Sequence, residues 1–211
     1  EELPVALLLP RHEDEPDRAK LRLDLAGVRE PLAALGAFLG RCDAGELAPW
    51  VRSLPPPPAE ERGAVLEVVG SSFAAEVLGE GGPGAPGVPG VPSVLLLVYK
   101  PWCGFSRLLQ PVFLELGRRL GPGNPHVRVA RFDVESNDYP LELTLDTSAI
   151  PRIYLFRAGN RTRPEEYTND PERTVSALLS WLGERLPSLA AWLEKDAAVA
   201  TDSDPEHAAE F

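Results

Sequence analysis

The stretch Val94-Leu95-Leu96-Leu97-Val98-Tyr99-Lys100-Pro101-Trp102-Cys103-Gly104-Phe105-Ser106 constrains this chain more than any other. Its six leading residues read as a buried strand, and an amphipathic helix pattern runs from about Gly104 to Leu120. Cys103 therefore stands at a strand-to-helix corner. There it faces unpaired backbone N–H groups and the positive end of the helix dipole, both of which favour thiolate over thiol. Lys100 adds to this if its ammonium points toward the sulfur, and Trp102 is expected to shield one side of it. Ser106 occupies the position where a second cysteine would complete a dithiol. A serine there can donate a hydrogen bond to the sulfur but cannot attack a mixed disulfide. Two cysteines three apart store a disulfide internally; one can only bond to something else. The plainer reading of Cys103 as a small buried apolar residue fits poorly with the flanking Pro-Trp and Gly.

Composition narrows the partners. The net charge of −11 argues against nucleic acid or an anionic membrane surface. Apolar runs of about six residues fall far short of the roughly 20 a membrane helix needs, so no membrane insertion is expected within this segment. The chain opens on Glu1-Glu2 without a signal-peptide pattern and contains no methionine, as expected of a segment of a longer protein. Cys42 and Cys103 could pair across domains or be independent thiols; their distinct contexts favour independence. Cys42 reads as a half-exposed bystander. His12, His126 and His207 lack ligand spacing, and no glycine motif that cradles phosphate precedes a helix, so neither metal nor cofactor is expected.

Along the chain, Val5 to Leu9 and Leu21 to Leu25 read as strands and Pro31 to Cys42 as a helix with a stripe of Leu32, Leu35, Phe38 and Leu39. Two strands and a helix cannot bury both faces of a sheet, so residues 1–54 look like the closing half of a domain. Residues 55–63, with Pro55 to Pro58, read as a stiff connector. A second domain over 64–190 follows. It has a strand at Val65 to Val69, a helix at Ser72 to Leu78 and a flexible Gly/Pro loop at 79–93. After the Cys103 corner come a strand at Val127 to Val134, a loop and short helix at Ser136 to Thr147, and a strand at Ile153 to Phe156. Arg157 to Arg163 is expected as a turn, Glu165 to Thr168 as a short strand and Glu172 to Leu186 as the last helix. Residues 191–211, acidic and alanine-rich, are expected to be disordered. Leu3 to Leu8 echoes Ile150 to Leu155, and leucine-rich helices follow both, as in a tandem array of one fold.

Tyr99 to Ser106 resembles the Y-A-P-W-C-G-H-C site of the protein disulfide isomerase family, within the thioredoxin superfamily. The likeness extends to Pro111 in the following helix, Arg131-Phe132-Asp133 with Asn137-Asp138, Ile150-Pro151, and Gly159 to Thr162 with Glu166-Tyr167. Leu47 to Ser53 resembles the family's passage from a non-catalytic domain into the last catalytic one. The resemblance covers about Leu3 to Leu186. It implies an α/β thioredoxin-like fold, a central mixed sheet flanked by helices, preceded by half of a second such domain. It also implies a cis-proline at Pro151 beside the thiol and a role for Arg173, which matches a family arginine that swings toward the site. The implied location is the lumen of the endoplasmic reticulum. The implied partners are cysteine-containing client polypeptides, with glutathione or client thiols as resolving agents, and the edge of the strand after Pro151 is open to client backbone. Three departures stand out: Ser106 for the resolving cysteine, Phe105 for the histidine, and Leu97 for a buried carboxylate that serves the second thiol. The implied activity is accordingly mixed-disulfide formation, isomerisation or client retention through Cys103, with weak or no dithiol oxidoreduction. A redox-inactive chaperone or scaffold is the alternative. A third reading comes from Cys103-Gly104-Phe105-Ser106-Arg107, which also matches the C-G-F-S-R of monothiol glutaredoxins, binders of iron–sulfur clusters and glutathione. Asn160-Arg161-Thr162 is an N-glycosylation sequon, usable only in a secretory compartment.

Overall fold

The computed structural model describes residues 5–8, 21–25, 28–47, 50–58, 60, 62–79, 92–141, 143–168 and 172–202. The strands are β1 (Val5–Leu8), β2 (Leu21–Asp24), β3 (Leu66–Val68), β4 (Ser93–Tyr99), β5 (Val127–Asp133), β6 (Arg152–Arg157) and β7 (Asn160–Glu166). The helices are α1 (Pro31–Asp43), α2 (Gly70–Phe73), α3 (Gly104–Leu120), α4 (Val175–Arg185) and α5 (Pro187–Asp202).

All of β4 is buried, as its unbroken apolar run requires of a strand covered on both faces. It is the centre of a five-stranded sheet in the order β3-β5-β4-β6-β7. β3, β5 and β4 are parallel, while β6 and β7 run antiparallel. Alternate β4 side chains feed two cores. Leu95 and Leu97 pack with Leu109, Phe113 and Leu116 of α3 and with Leu178, Trp181 and Leu182 of α4. Leu96 and Val98 pack with Phe73, Phe132, Tyr154 and Phe156 on the other face. Phe73 meets the Phe132 ring edge-on at 4.9 Å between centroids. Gly117 lets α3 approach the chain ahead of β3, since a Cβ there would lie 2.5 Å from the Ala64 carbonyl oxygen. Ahead of this sheet, β1 and β2 pair antiparallel as a separate two-stranded sheet and are followed by α1.

Several expectations are corrected. The helix expected at Ser72 to Leu78 begins at Gly70 and passes into a single π turn over Ala74–Leu78, ended by Gly79 at φ 72°. No helix occurs at 136–147 among the described residues. Phenols satisfy backbone groups there instead: the Tyr139 hydroxyl donates to the Leu145 carbonyl and that of Tyr154 to the Asp146 carbonyl. The turn expected over 157–163 is only Ala158-Gly159, and β7 begins at Asn160. Its inward residue is Arg161, not an apolar one, so hydrophobic alternation does not reveal the strand. β7 also covers β6, which is therefore paired on both sides and has no open edge for a client. Finally, 191–202 are not a disordered tail but the body of α5. Leu189 is fully buried, and Trp192 and Leu193 pack on the same core. Residues 80–91 of the Gly/Pro loop and 203–211 of the tail lie outside the described residues.

The segment before the connector is tied down. Arg52 accepts from the Asp138 N–H at 2.8 Å and donates its own N–H to the Asp138 carboxylate at 3.1 Å. Buried Asn137 accepts from the N–H groups of Leu54 (2.9 Å) and Gly70 (3.0 Å) and donates to the Asp133 carbonyl.

Candidate active site

Cys103 is the N-cap of α3, with extended backbone (φ −74°, ψ 122°). Its own N–H donates to the Lys100 carbonyl at 3.1 Å, closing the turn, and its carbonyl accepts the first helical bond from Arg107. Cys103 is half-buried and free of a disulfide, as is Cys42. The thiol lies 3.5 Å from the Ile150 carbonyl oxygen, to which it donates. The Ile150–Pro151 bond is cis and Pro151 is buried. The two segments that the sequence places 47 residues apart thus meet at the sulfur.

The thiol pKa is lowered. The largest cause is the Ser106 backbone N–H, followed by the Ser106 hydroxyl; the Phe105 N–H and the Arg107 charge act in the same sense, against some desolvation. The two N–H groups are orphan donors of a helix N-terminus. Ser106 is 0% exposed. Its oxygen accepts from the Lys100 N–H at 3.4 Å, which leaves its proton for the sulfur. Lys100 contributes otherwise than expected. Its ammonium is 3.5 Å from the Glu135 carboxylate and 5.4 Å from the centre of the Trp102 ring. Trp102 is 66% exposed and stands at the rim of the site. Arg173 lies just ahead of the Thr174 N-cap of α4, not inside the helix, and donates to the Pro151 carbonyl at 3.2 Å. Leu97 is fully buried in β4 and packs with Leu109 and Phe113 of α3.

Two features escaped the sequence reading. One is a groove of about 560 Å³ between α3 and the Ile150–Pro151 segment, lined by Phe105, Leu108, Val112, Ile150, Pro151 and Arg173 among others. Phe105 and Leu108 are 74% and 75% exposed. They are apolar residues outside the buried Leu109-Phe113-Leu116 stripe of α3, and that displacement was the available signal. The other is an ion pair between Glu67 and Arg131, partners in the β3–β5 register, with the Tyr99 hydroxyl donating to the same carboxylate at 3.2 Å. Burial first, then the Glu67 charge, raises the Tyr99 pKa. Glu67 is the one charged residue of β3, whereas β5 also carries Arg128 and Asp133, so the pattern alone did not single out Arg131 as its partner.

The Thioredoxin family model matches residues 90–184. Protein disulfide-isomerase A3 of Gallus gallus is 31% identical over 165 residues, 78% of this chain and 30% of that protein. The protein disulfide-isomerase of Humicola insolens is 31% identical over 153 residues, 72% of this chain and 27% of that protein. This chain carries a thioredoxin domain whose curated relatives are protein disulfide-isomerases. Its thioredoxin domain is also similar to the solved Trx4 domain of ERdj5, at a TM-score of 0.43 and 19% identity over 58% of this chain and 96% of that one. Human ERp44 in its zinc-bound form gives a TM-score of 0.42 and 22% identity over 57% of this chain and 31% of that one. The chain spans between about a fifth and a third of the length of the curated relatives. Cys103, the start of α3 and the cis Ile150–Pro151 bond all lie within the matched residues.

Proposed function

We propose that this thioredoxin domain acts on cysteine-containing client polypeptides in the lumen of the endoplasmic reticulum through the single thiol of Cys103. One observation carries the reading: a free thiol of lowered pKa at the start of α3, 3.5 Å from the Ile150 carbonyl and beside an apolar groove. The Cys103 thiolate attacks one sulfur of a client disulfide. The client S–S bond breaks, a mixed disulfide forms, and the other client sulfur leaves as a thiolate and takes a proton. A client thiolate or glutathione then attacks the client sulfur of that bond and returns Cys103 as thiolate. When the attacking thiolate belongs to the client, its disulfide has been rearranged with no net oxidation. The lumenal location is supported by kinship with disulfide-isomerases and by the compartment's tolerance of disulfides. In the same reading, the β1–β2 hairpin and α1 are the closing half of a second thioredoxin-like domain.

The test is covalent capture of a disulfide-bearing client, read on non-reducing gels. Cys103→Ala abolishes capture and Ser106→Ala retains it; capture that persists without Cys103 refutes the assignment. The scaffold reading is favoured by buried, apolar Leu97 and by Ser106. Refolding of a scrambled disulfide client no faster than in buffer with glutathione, with peptide binding intact, selects it.

A further inference from the structure

The turn between β6 and β7 carries the one Asn-x-Ser/Thr triplet of the sequence, Asn160-Arg161-Thr162. Ala158 and Gly159, the latter at φ 86°, make the turn, and Asn160 opens β7 opposite Arg157. Successive side chains on a strand point to opposite faces, and here that alternation sorts the triplet. Asn160 and Thr162 are exposed, whereas Arg161 between them is 4% exposed. Its guanidinium is held inward by the carbonyls of Val77 (2.8 Å) and Pro92 (2.6 Å). The amide and the hydroxyl of the triplet therefore share one accessible face, on the edge strand of the sheet. Pro151, beside the thiol, stands at the opposite end of β6. Six residues of strand put about 20 Å between them.

We propose that Asn160 is an N-glycosylation site, an inference that rests on the lumenal location above. The Asn160 amide nitrogen attacks the anomeric carbon of an oligosaccharide carried on a polyprenyl diphosphate. The N–C bond forms as the sugar–phosphate bond breaks; the lipid diphosphate leaves with the electron pair, the amide gives up one proton to base, and nothing is oxidised or reduced. A glycan there projects from the sheet end remote from Cys103 and leaves the groove at Phe105 and Leu108 clear. It also stands on the edge strand of the sheet, where it opposes pairing with another chain.

The test is made in mammalian cells, with this chain behind a cleavable secretory leader and, in parallel, with the full-length protein under its own targeting. Peptide-N-glycosidase treatment is expected to shift the wild-type band and that of Thr162→Ser, and to leave Asn160→Gln and Thr162→Ala unshifted. A leader-driven chain that is protease-protected in sealed microsomes yet unshifted overturns the site and leaves the lumenal reading standing. A shift that survives Asn160→Gln also overturns it. Full-length protein open to protease in sealed microsomes overturns the location, and with it the natural occupancy of Asn160. Client capture is expected to be equal in the glycosylated protein and Asn160→Gln; a faster Asn160→Gln would place the glycan at the groove and overturn the geometry.

Discussion

At the scale of single residues, the sulfur of Cys103 and the hydroxyl of Ser106 act as a unit. The serine sits wholly buried, accepts the Lys100 N–H and, as a hydrogen-bond donor, favours the thiolate of Cys103. Alkylation of Cys103 followed against pH is expected to show a midpoint below the ordinary thiol value of about 8.5, moving up toward it in Ser106→Ala. The helix N–H groups remain in that variant, so a reduced depression is expected to persist. The same depression has a sign in stability. The folded state prefers the thiolate, so the contribution is present above the unfolded thiol pKa and is lost as pH falls through the folded one. Ser106→Ala also loses the bond from the Lys100 N–H at every pH, so chemical denaturation should show a gap between wild type and variant that is smallest and constant below that window and widens above it. Arg161 is the second residue with a definite assignment. Burial, and after it the Arg128 charge, lower its pKa, while its guanidinium donates two charge-assisted bonds to main-chain carbonyls. Arg161→Met is expected to cost about 2 kcal/mol in urea unfolding; an unchanged midpoint would remove it from the structure's supports.

At the scale of elements, β4 and α3 were legible because one strand is apolar throughout and one helix keeps its stripe at helical spacing. The thiol corner was legible for the same reason, since both elements that build it announce themselves. β7 was not, because the residue it turns inward is Arg161, and a guanidinium serving two carbonyls has no place in a hydrophobic pattern. The groove was half legible: Phe105 was read as a missing histidine, not as the first of two apolar residues displayed on the outer face of α3. α5 was misread because its alanines and acidic residues mask Leu189, Trp192 and Leu193, which fall on one face at three- and four-residue spacing. With Leu189 fully buried, Leu189→Ala is expected to destabilise the thioredoxin domain by about 3 kcal/mol. A loss measured by denaturation that stays under half a kilocalorie per mole, as surface substitutions give, would show that α5 is an ornament and that the domain ends with α4.

At the scale of the whole molecule, the contacts around Asn137 join parts far apart in sequence: the segment at 52–54, the start of α2 and the end of β5. Gly70 belongs to the same junction, since a Cβ there would lie 2.4 Å from the Arg52 carbonyl oxygen and 2.9 Å from that of Asp138. Both neighbours are backbone and cannot turn aside. Gly70→Ala and Asn137→Ala are each expected to speed limited proteolysis within 52–63. Asn137→Ala, which forfeits three hydrogen bonds, should also lower global stability by about 3 kcal/mol. Cleavage no faster than in the wild type would mean that the segment is held by other means. The hydroxyl buried under the Cys103 sulfur carries a consequence at this scale too. Under the proposed mechanism the timer that ends each encounter lies outside the polypeptide. The lifetime of a captured chain then shortens in proportion to the surrounding supply of small thiols, which makes the protein a catch whose grip reports on its bath.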